Sequence, residues 1–440
     1  MNELRWVVVL VCWLLLMVPN HVLGAGTETD TGSEVGLSGQ MDTSTEDSTG
    51  ADVFEKKGRY FHPFISLNTY YTDNLFNEND DEKDDIVYNI IPGIWLAFPG
   101  AEQPLLALET LNTAPGGLRV SRFETSSERR FQAYALYRMN IRRYDEYSDE
   151  NTENHHAEGL LRYQFANEAS IEVVNIYDKA QDPYATGTST ALDEYDANFF
   201  NVVGLLPVSQ KFAFRLDYSN YYLDYDEDIN SYRNRSDNAA SGYVFYKIRP
   251  RTAMFLQYEY VDINYDEDTL SDSQEHHYFA GVRWQYSEKT RARFKLGYGQ
   301  KEFDESGIES YEDIIGELQL DYQYSEKTAF RLIATRQMNE TDISDQEYIL
   351  SHSVLLGYHQ RVLPRLEAEI NLEYIRDSYK EIAAGGNRED DYYRAGIELG
   401  YTFRSWLVLG VGYQFTSRNS NDNAYDYDNN TFFLGITGAI

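Results

Sequence analysis

The stretch Thr290-Arg-Ala-Arg-Phe-Lys-Leu-Gly-Tyr298 carries the pattern that decides the fold. Its even positions Ala292, Phe294, Leu296 and Tyr298 are apolar or aromatic; Arg291, Arg293 and Lys295 between them are charged. Alternate residues of a strand face opposite sides, so the segment has one apolar and one strongly polar face. Phe212, Phe214, Leu216 and Tyr218 alternate in the same way with Lys211, Arg215 and Asp217. So do Leu366, Ala368, Ile370, Leu372 and Tyr374 with Glu367, Glu369, Asn371 and Glu373. The texture begins at Tyr60 and holds to Ile440.

The alternating segments come in hairpins. Ser287-Glu-Lys-Thr290 returns as Ser325-Glu-Lys-Thr328, and similar short turns fall near Asn167-Glu168, Ser209-Gln210, Pro250-Arg251, Leu363-Pro364 and Arg404-Ser405. Between successive turns lie acidic loops such as Asp224–Asp228, Asp266–Asp268 and Asp422–Asp428. A repeat of this period also occurs in solenoids and propellers, but those carry Gly or Trp signatures at fixed offsets, which are missing here. Long strands joined alternately by short turns and long polar loops are the outer-membrane pattern. Hairpin counting gives about eighteen strands, from 60–76 and 84–98 to 405–418 and 425–440, an even number as single-chain bacterial barrels have. The expected fold is therefore all-β: a transmembrane antiparallel up-and-down β-barrel with short periplasmic turns and long acidic extracellular loops.

Residues 99–129 resist this scheme, because a short periplasmic turn belongs there. They contain Pro104, Pro115, Gly116-Gly117, Arg119, Arg122 and Arg129, with Arg130 at the edge of the next strand. A periplasmic insertion, a lumen plug and one more hairpin (about twenty strands) all fit such a stretch. The expectation taken is the periplasmic insertion.

A soluble β-sandwich uses strands of five or six residues and buries its apolar faces against each other. Here the strands run past the nine to eleven residues that a tilted membrane strand needs. The chain also holds 38 tyrosines. Buried hydroxyls each need a partner, whereas amphipathic rings suit a headgroup layer. Inward charges need water or partners, so the lumen is expected to be wet. The last strand puts Phe432, Leu434, Ile436, Gly438 and Ile440 on one face. That resembles the C-terminal assembly signal of outer-membrane proteins, with Ile in place of a final Phe or Trp and Gly where an apolar side chain is expected.

The N-terminus has the order of an export signal. Arg5 precedes an apolar run of 13 residues from Trp6 to Val18, broken by Pro19 and Asn20, with small residues at Gly24-Ala25 for cleavage. Thirteen is too few for a membrane-spanning helix, which needs about 20. Residues 1–24 are thus expected to be a signal peptide, 25–57 a disordered acidic periplasmic tether poor in apolar side chains, and 58–440 the barrel. The sole cysteine, Cys12, lies inside the signal, so the mature chain would hold no thiol. A net charge of −34 argues against nucleic-acid binding, which requires a basic face.

No nucleophile elbow, zinc-protease helix or phosphate-binding loop is present, so neither catalysis nor a cofactor is expected. His155-His156 and His276-His277 look metal-like, but adjacent strand residues face opposite ways and cannot chelate one ion. The Asp224–Asp228 run lacks the Gly and terminal Glu of a calcium loop. More informative are the polar faces. Arg138, Arg215, Arg283, Arg291, Arg293, Lys295 and Arg331 form a basic wall, and Glu367, Glu369, Glu373 and Glu398 an acidic one. Opposed walls would set a transverse field that orders polar or anionic solutes, with Tyr134 and Tyr243 stacking on sugar faces. The alternative is that the interior charges pair with one another and fill the lumen. Both remain open at this point.

His62-Pro-Phe-Ile-Ser-Leu-Asn-Thr-Tyr-Tyr-Thr-Asp-Asn-Leu-Phe76 resembles the opening strand of a family of outer-membrane β-barrel porins associated with exopolysaccharide or capsule secretion. Ile91-Pro-Gly-Ile94, and Tyr144-Asp-Glu-Tyr147 leading to Asn151, fit the same pattern. The resemblance implies an outer-membrane conduit for a polysaccharide, working with a periplasmic polysaccharide-export protein. Outer-membrane lipid, lipopolysaccharide and the barrel-assembly machinery are the other expected partners. A diffusive porin for small oligosaccharides or ions, and a closed structural or adhesive barrel, are the alternatives. TonB-coupled transport is disfavoured, since the tether is too short for a plug domain.

Overall fold

The computed structural model describes residues 60–98, 108, 110–122, 130–182, 193–287, 289–306, 308–343, 346–380 and 388–439. The expected signal peptide with Cys12, the tether and the terminal Ile440 lie outside them. Eighteen antiparallel strands follow in chain order. They are β1 Phe61–Thr72, β2 Asp85–Phe98, β3 Phe131–Tyr144, β4 Thr152–Gln164, β5 Ser170–Gln181 and β6 Glu194–Pro207. Next come β7 Phe212–Tyr225, β8 Arg235–Arg249, β9 Thr252–Tyr265, β10 Ser273–Ser287, β11 Thr290–Phe303 and β12 Tyr311–Ser325. The last six are β13 Thr328–Glu340, β14 Tyr348–Leu363, β15 Leu366–Lys380, β16 Glu389–Arg404, β17 Leu407–Ser420 and β18 Tyr427–Ala439. Each pairs with its chain neighbours, and β1 also pairs with β18, from Phe64 opposite Ala439 to Thr72 opposite Thr431. Closure leaves no free sheet edge, which is what a bilayer demands of a β structure.

The expected strands 84–98, 405–418 and 425–440 are Asp85–Phe98, Leu407–Ser420 and Tyr427–Ala439, within two residues at each end, whereas 60–76 is Phe61–Thr72 and ends four residues early. Among the described residues the closed ring holds eighteen strands, not twenty. The period-two split also sorts the faces. Leu216 (69%), Leu256 (65%) and Leu434 (61%) are exposed on the outside, while Arg215, Arg293 and Lys301 are buried within. This inversion of the soluble rule is the signature of a barrel whose outer face meets lipid. Exposed rings gather towards both strand ends: Phe61, Phe98, Tyr246, Tyr324 and Phe403 at one, Tyr71, Tyr88, Tyr177 and Tyr222 at the other. Such girdles sit at the two bilayer interfaces.

The end with the short turns is periplasmic by the outer-membrane convention. Two-residue turns occur at 250–251, 326–327, 364–365 and 405–406. One position before each of them the ladder register slips by one residue, at Lys247/Arg249, Gln323/Ser325, Arg361/Leu363 and Thr402/Arg404. A bulge at that place sharpens the local twist and lets the strands close in so short a turn.

The expectation of a periplasmic insertion at 99–129 is corrected in its described part. Residues 110–122 lie inside the barrel, bonded to inward-facing side chains of the wall, as set out below. The physical reason is polar demand: a run of backbone amides with Arg119 and Arg122 finds its partners among the lumen carboxylates.

Candidate functional site: the barrel lumen

Residues 110–122 form a compact turn. Thr110 and Leu118 make an antiparallel bridge, and the amides of Leu111 and Gly117 donate to Gly117 O and Ala114 O at 3.0 and 2.9 Å. Gly116 and Gly117 adopt φ of 71° and 81°. A β-carbon on Gly117 would stand 2.3 Å from the Tyr221 ring, so backbone conformation and space both require glycine there.

Around this turn the wall supplies a partner at almost every step. Gly116 N donates to Asp237 Oδ2 (3.0 Å), and Arg235 donates to Asn112 O (2.5 Å) while held by Asp237 (3.1 Å). Tyr221 OH donates to Asn112 Oδ1 (2.6 Å), and Asn112 Nδ2 donates to Asp182 (3.0 Å). Glu340 N, at the extracellular end of β13, donates to Thr113 O (2.7 Å). Lower down, Ser121 N donates to Glu317 Oε2 (3.0 Å) and Ser121 Oγ accepts from Lys295 Nζ (2.7 Å). Arg122 pairs with Glu172 on β5 and donates to Asn201 on β6. Arg119 pairs with Glu373 on β15.

β5 and β15 lie ten steps apart one way round the eighteen-strand ring and eight the other, so they face each other. The loop therefore spans the lumen from wall to wall. Its ties are charged and buried, and a buried pair offsets its desolvation only when well bonded; what these pairs enforce is one seating of the loop.

The residues expected to line a pore all face inward, but their surroundings differ. Arg215 is gripped by Asp217 (2.7 and 2.6 Å), donates to Arg122 O (3.1 Å) and lies over Tyr243 (5.1 Å). Lys295 sits 3.5 Å from Glu317 and over Phe279 (4.1 Å). Arg283 stands over Phe245 (5.0 Å), opposite Arg293 in the ladder. Arg291 and Arg331 share Asp321, each at 3.0 Å. Arg138 pairs in register with His156, and Tyr134 donates to Glu158. Tyr243 stacks on Phe245 (5.8 Å, 6°). On the other wall Glu367 holds Arg361 (3.0 Å), Glu369 accepts from Asn371 (2.9 Å), and Glu373 binds both Arg119 and Arg394 (3.1 Å). Glu398 has no hydrogen-bond or cation partner among the described residues and lies opposite Glu369. Most of these charges are thus neutralised locally, as in the second reading left open by the sequence. Arg215, Arg293, Lys295, Tyr134, Tyr243 and Glu373 are buried.

The paired histidines divide as strand geometry requires. His155 and His276 point outward, each 2.9 Å from a tyrosine hydroxyl (Tyr137 and Tyr258). His156 and His277 point inward to Asp178 (2.5 Å) and Glu259 (2.9 Å). Between the loop and the β7–β13 wall remains a cavity of about 120 Å³ with a mixed lining that includes Arg119, Asp217, Glu259 and His277 beside Leu118, Phe279 and Ile315. Asp182, Asp237, Glu317 and Glu340 were not singled out from sequence, and Arg119 and Arg122 were named there only as members of the irregular stretch, without a role. Two arginines in a Pro/Gly-containing insertion, beside a wall rich in carboxylates, were the available signal.

A family model described as "Putative beta-barrel porin 2" matches residues 122–439. The chain belongs to that family. It is an outer-membrane β-barrel porin, and its family is one of channels, not of enzymes. The match begins at Arg122, so the loop tip inside the lumen precedes it. No curated protein matches this porin in sequence. Among the solved structures it is similar to are several Pseudomonas aeruginosa proteins. OccK2 (OpdF) is 9% identical with a TM-score of 0.44, covering 87% of this chain and 100% of that one. OpdK with vanillate is 11% identical at 0.43, covering 86% and 99%. OccK5 (OpdH) is 12% identical at 0.41, covering 87% and 98%.

Proposed function

We propose that this porin is a constricted diffusive channel for small polar solutes, with residues 110–122 as the constriction. The observation that carries this reading is the pair of arginines on one loop, Arg119 bonded to Glu373 and Arg122 to Glu172, on facing walls of the ring. A loop tied at both sides leaves room for small solutes beside it and blocks a wide chain. Liposome swelling with sugars of increasing size tests it. Monosaccharides are expected to enter while long oligosaccharides do not; entry independent of size would overturn the constriction, and no entry at all would favour a closed structural or adhesive barrel.

Export of an exopolysaccharide is the second reading. It is supported by the resemblance of the opening strand His62–Phe76 and by the kind of bonds that seat the loop. They are largely hydrogen bonds and ion pairs, which water or a polyhydroxylated chain can replace. In this reading a periplasmic export protein docks at the short-turn end and displaces the loop. Lipopolysaccharide outside, a cleaved signal peptide and the barrel-assembly machinery belong to either reading. A deletion strain separates them: loss of surface polysaccharide supports export, and wild-type amounts with lost solute uptake support diffusion.

A further inference from the structure

The interior of this porin is not evenly covered. On β7–β13 the inward side chains Arg215, Asp237, Glu275, Arg293 and Lys301 are buried. On β15–β17 the inward positions Glu367, Glu369, Asn371, Glu398, Gly400 and Gly410 are all partly open. The loop accounts for the difference. Its described bonds go mainly to β5–β8 and β11–β13, and Arg119 alone reaches β15. Among the described residues, a β-carbon added to Gly400 would meet nothing within 4 Å, and one on Gly410 would meet only Glu398 Oε1 at 3.6 Å and the Phe433 ring at 3.8 Å. Among the described residues, small side chains and the lack of close neighbours mark this as the side on which water has access.

The charges on this strip are unbalanced. Arg394 is committed to Glu373 and Arg361 to Glu367, while Arg331 on the neighbouring wall is shared with Asp321. Glu369 and Glu398 face each other directly across β15 and β16, and His359, opposite Glu369 on its other side, is buried. Like charges directly opposite on a sheet repel. Inside a low-dielectric wall their field is focused into the water beside them, as in the acidic rings of cation channels.

We propose that the aqueous path runs between the loop and β15–β17, and that Glu398 with Glu369 makes it selective for small cations, inorganic ions or organic ammonium compounds. The proposal rests on the diffusive reading above. A cation in transit offsets the repulsion between the two carboxylates, so occupancy by cations is favoured and by anions opposed.

The test is the reversal potential of the purified full-length porin in a planar bilayer under a KCl gradient. Wild type is expected to favour potassium over chloride. Glu369→Gln with Glu398→Gln should lower that permeability ratio about threefold or more, and Glu398→Lys should carry it further towards chloride. Barrel formation by each variant is checked by its heat-modifiable mobility in gels. A ratio unchanged in the double variant overturns the inference and leaves the diffusive reading standing, since the acidic mouths would then set selectivity. A wild type without conductance overturns the diffusive reading, and this inference with it.

Discussion

Arg119 of the lumen loop and Glu373 of β15 form a buried ion pair, and Arg394 of β16 holds the second carboxylate oxygen at 3.1 Å. The side chains of Arg119 and Glu373 are only 7% and 6% exposed, so the pair is little screened. Removing one member of such a pair costs roughly 3–5 kcal/mol, reduced here because Arg394 still serves Glu373. Arg119→Ala is expected to raise amide hydrogen exchange across residues 110–122 and to leave the strands protected. Exchange unchanged in the loop would mean that the remaining ties suffice without the far wall.

Gly117 tests the seating from the opposite side. At a φ of 81°, with a β-carbon position 2.3 Å from the Tyr221 ring, alanine meets both a steric and a conformational penalty. The left-handed conformation alone costs about 1–2 kcal/mol for a residue with a β-carbon. Gly117→Ala should lift the tip from Tyr221 and quicken sugar entry in liposome swelling. A rate equal to wild type would place the tip elsewhere.

Outside the barrel, Leu296 lies near the middle of β11 and is 51% exposed. Arginine at a bilayer midplane costs about 2–4 kcal/mol, falling to about 0–1 near the interface. Denaturant unfolding in vesicles should therefore show Leu296→Arg far less stable than Gln300→Arg, two outward positions closer to the extracellular end. Equal losses would contradict the assignment of this face to lipid.

The extracellular loops carry a pH response. Asp193, between β5 and β6, accepts from Asn230 (2.5 Å) and lies 3.9 Å from Arg233. Burial pushes its carboxyl up to about 6; Arg233 and the Asn230 hydrogen bond oppose the rise, and Asp182 and Asp342 add to it. Because the folded value lies above the unfolded one, the folded loops bind the proton more tightly. Their stability should rise as the pH falls from about 7 through 6, and level off below about 4. Limited proteolysis of these loops is expected to slow over that range, and Asp193→Asn to remove the change. The same pH response in the variant would assign it to another group.

Much of the barrel could be read directly from sequence, because a strand's side-chain period is local. Phe294, Leu296 and Tyr298 betray their face within five residues, and hairpins such as 325–328 betray themselves by their turns. Inward placement of Arg215, Arg293, Lys295 and Glu373 follows from the same alternation. Their partners do not. Arg119 and Glu373 stand 254 residues apart, and no periodic pattern links them. The loop itself was visible as an irregularity at Pro115-Gly116-Gly117, but a polar insertion reads alike whether it meets solvent or a carboxylate-lined wall. The decision between opposed charged walls and local pairing likewise needed the register, since Lys295 meets Glu317 only because β11 pairs with β12 in one alignment.

In the proposed channel, residues 110–122 constrict the eighteen-strand lumen. Single-channel conductance of the full-length porin, against a variant with those residues replaced by a short Gly/Ser linker, tests it most directly. A several-fold larger and quieter conductance is expected for the variant. Equal conductance in the two proteins would contradict it.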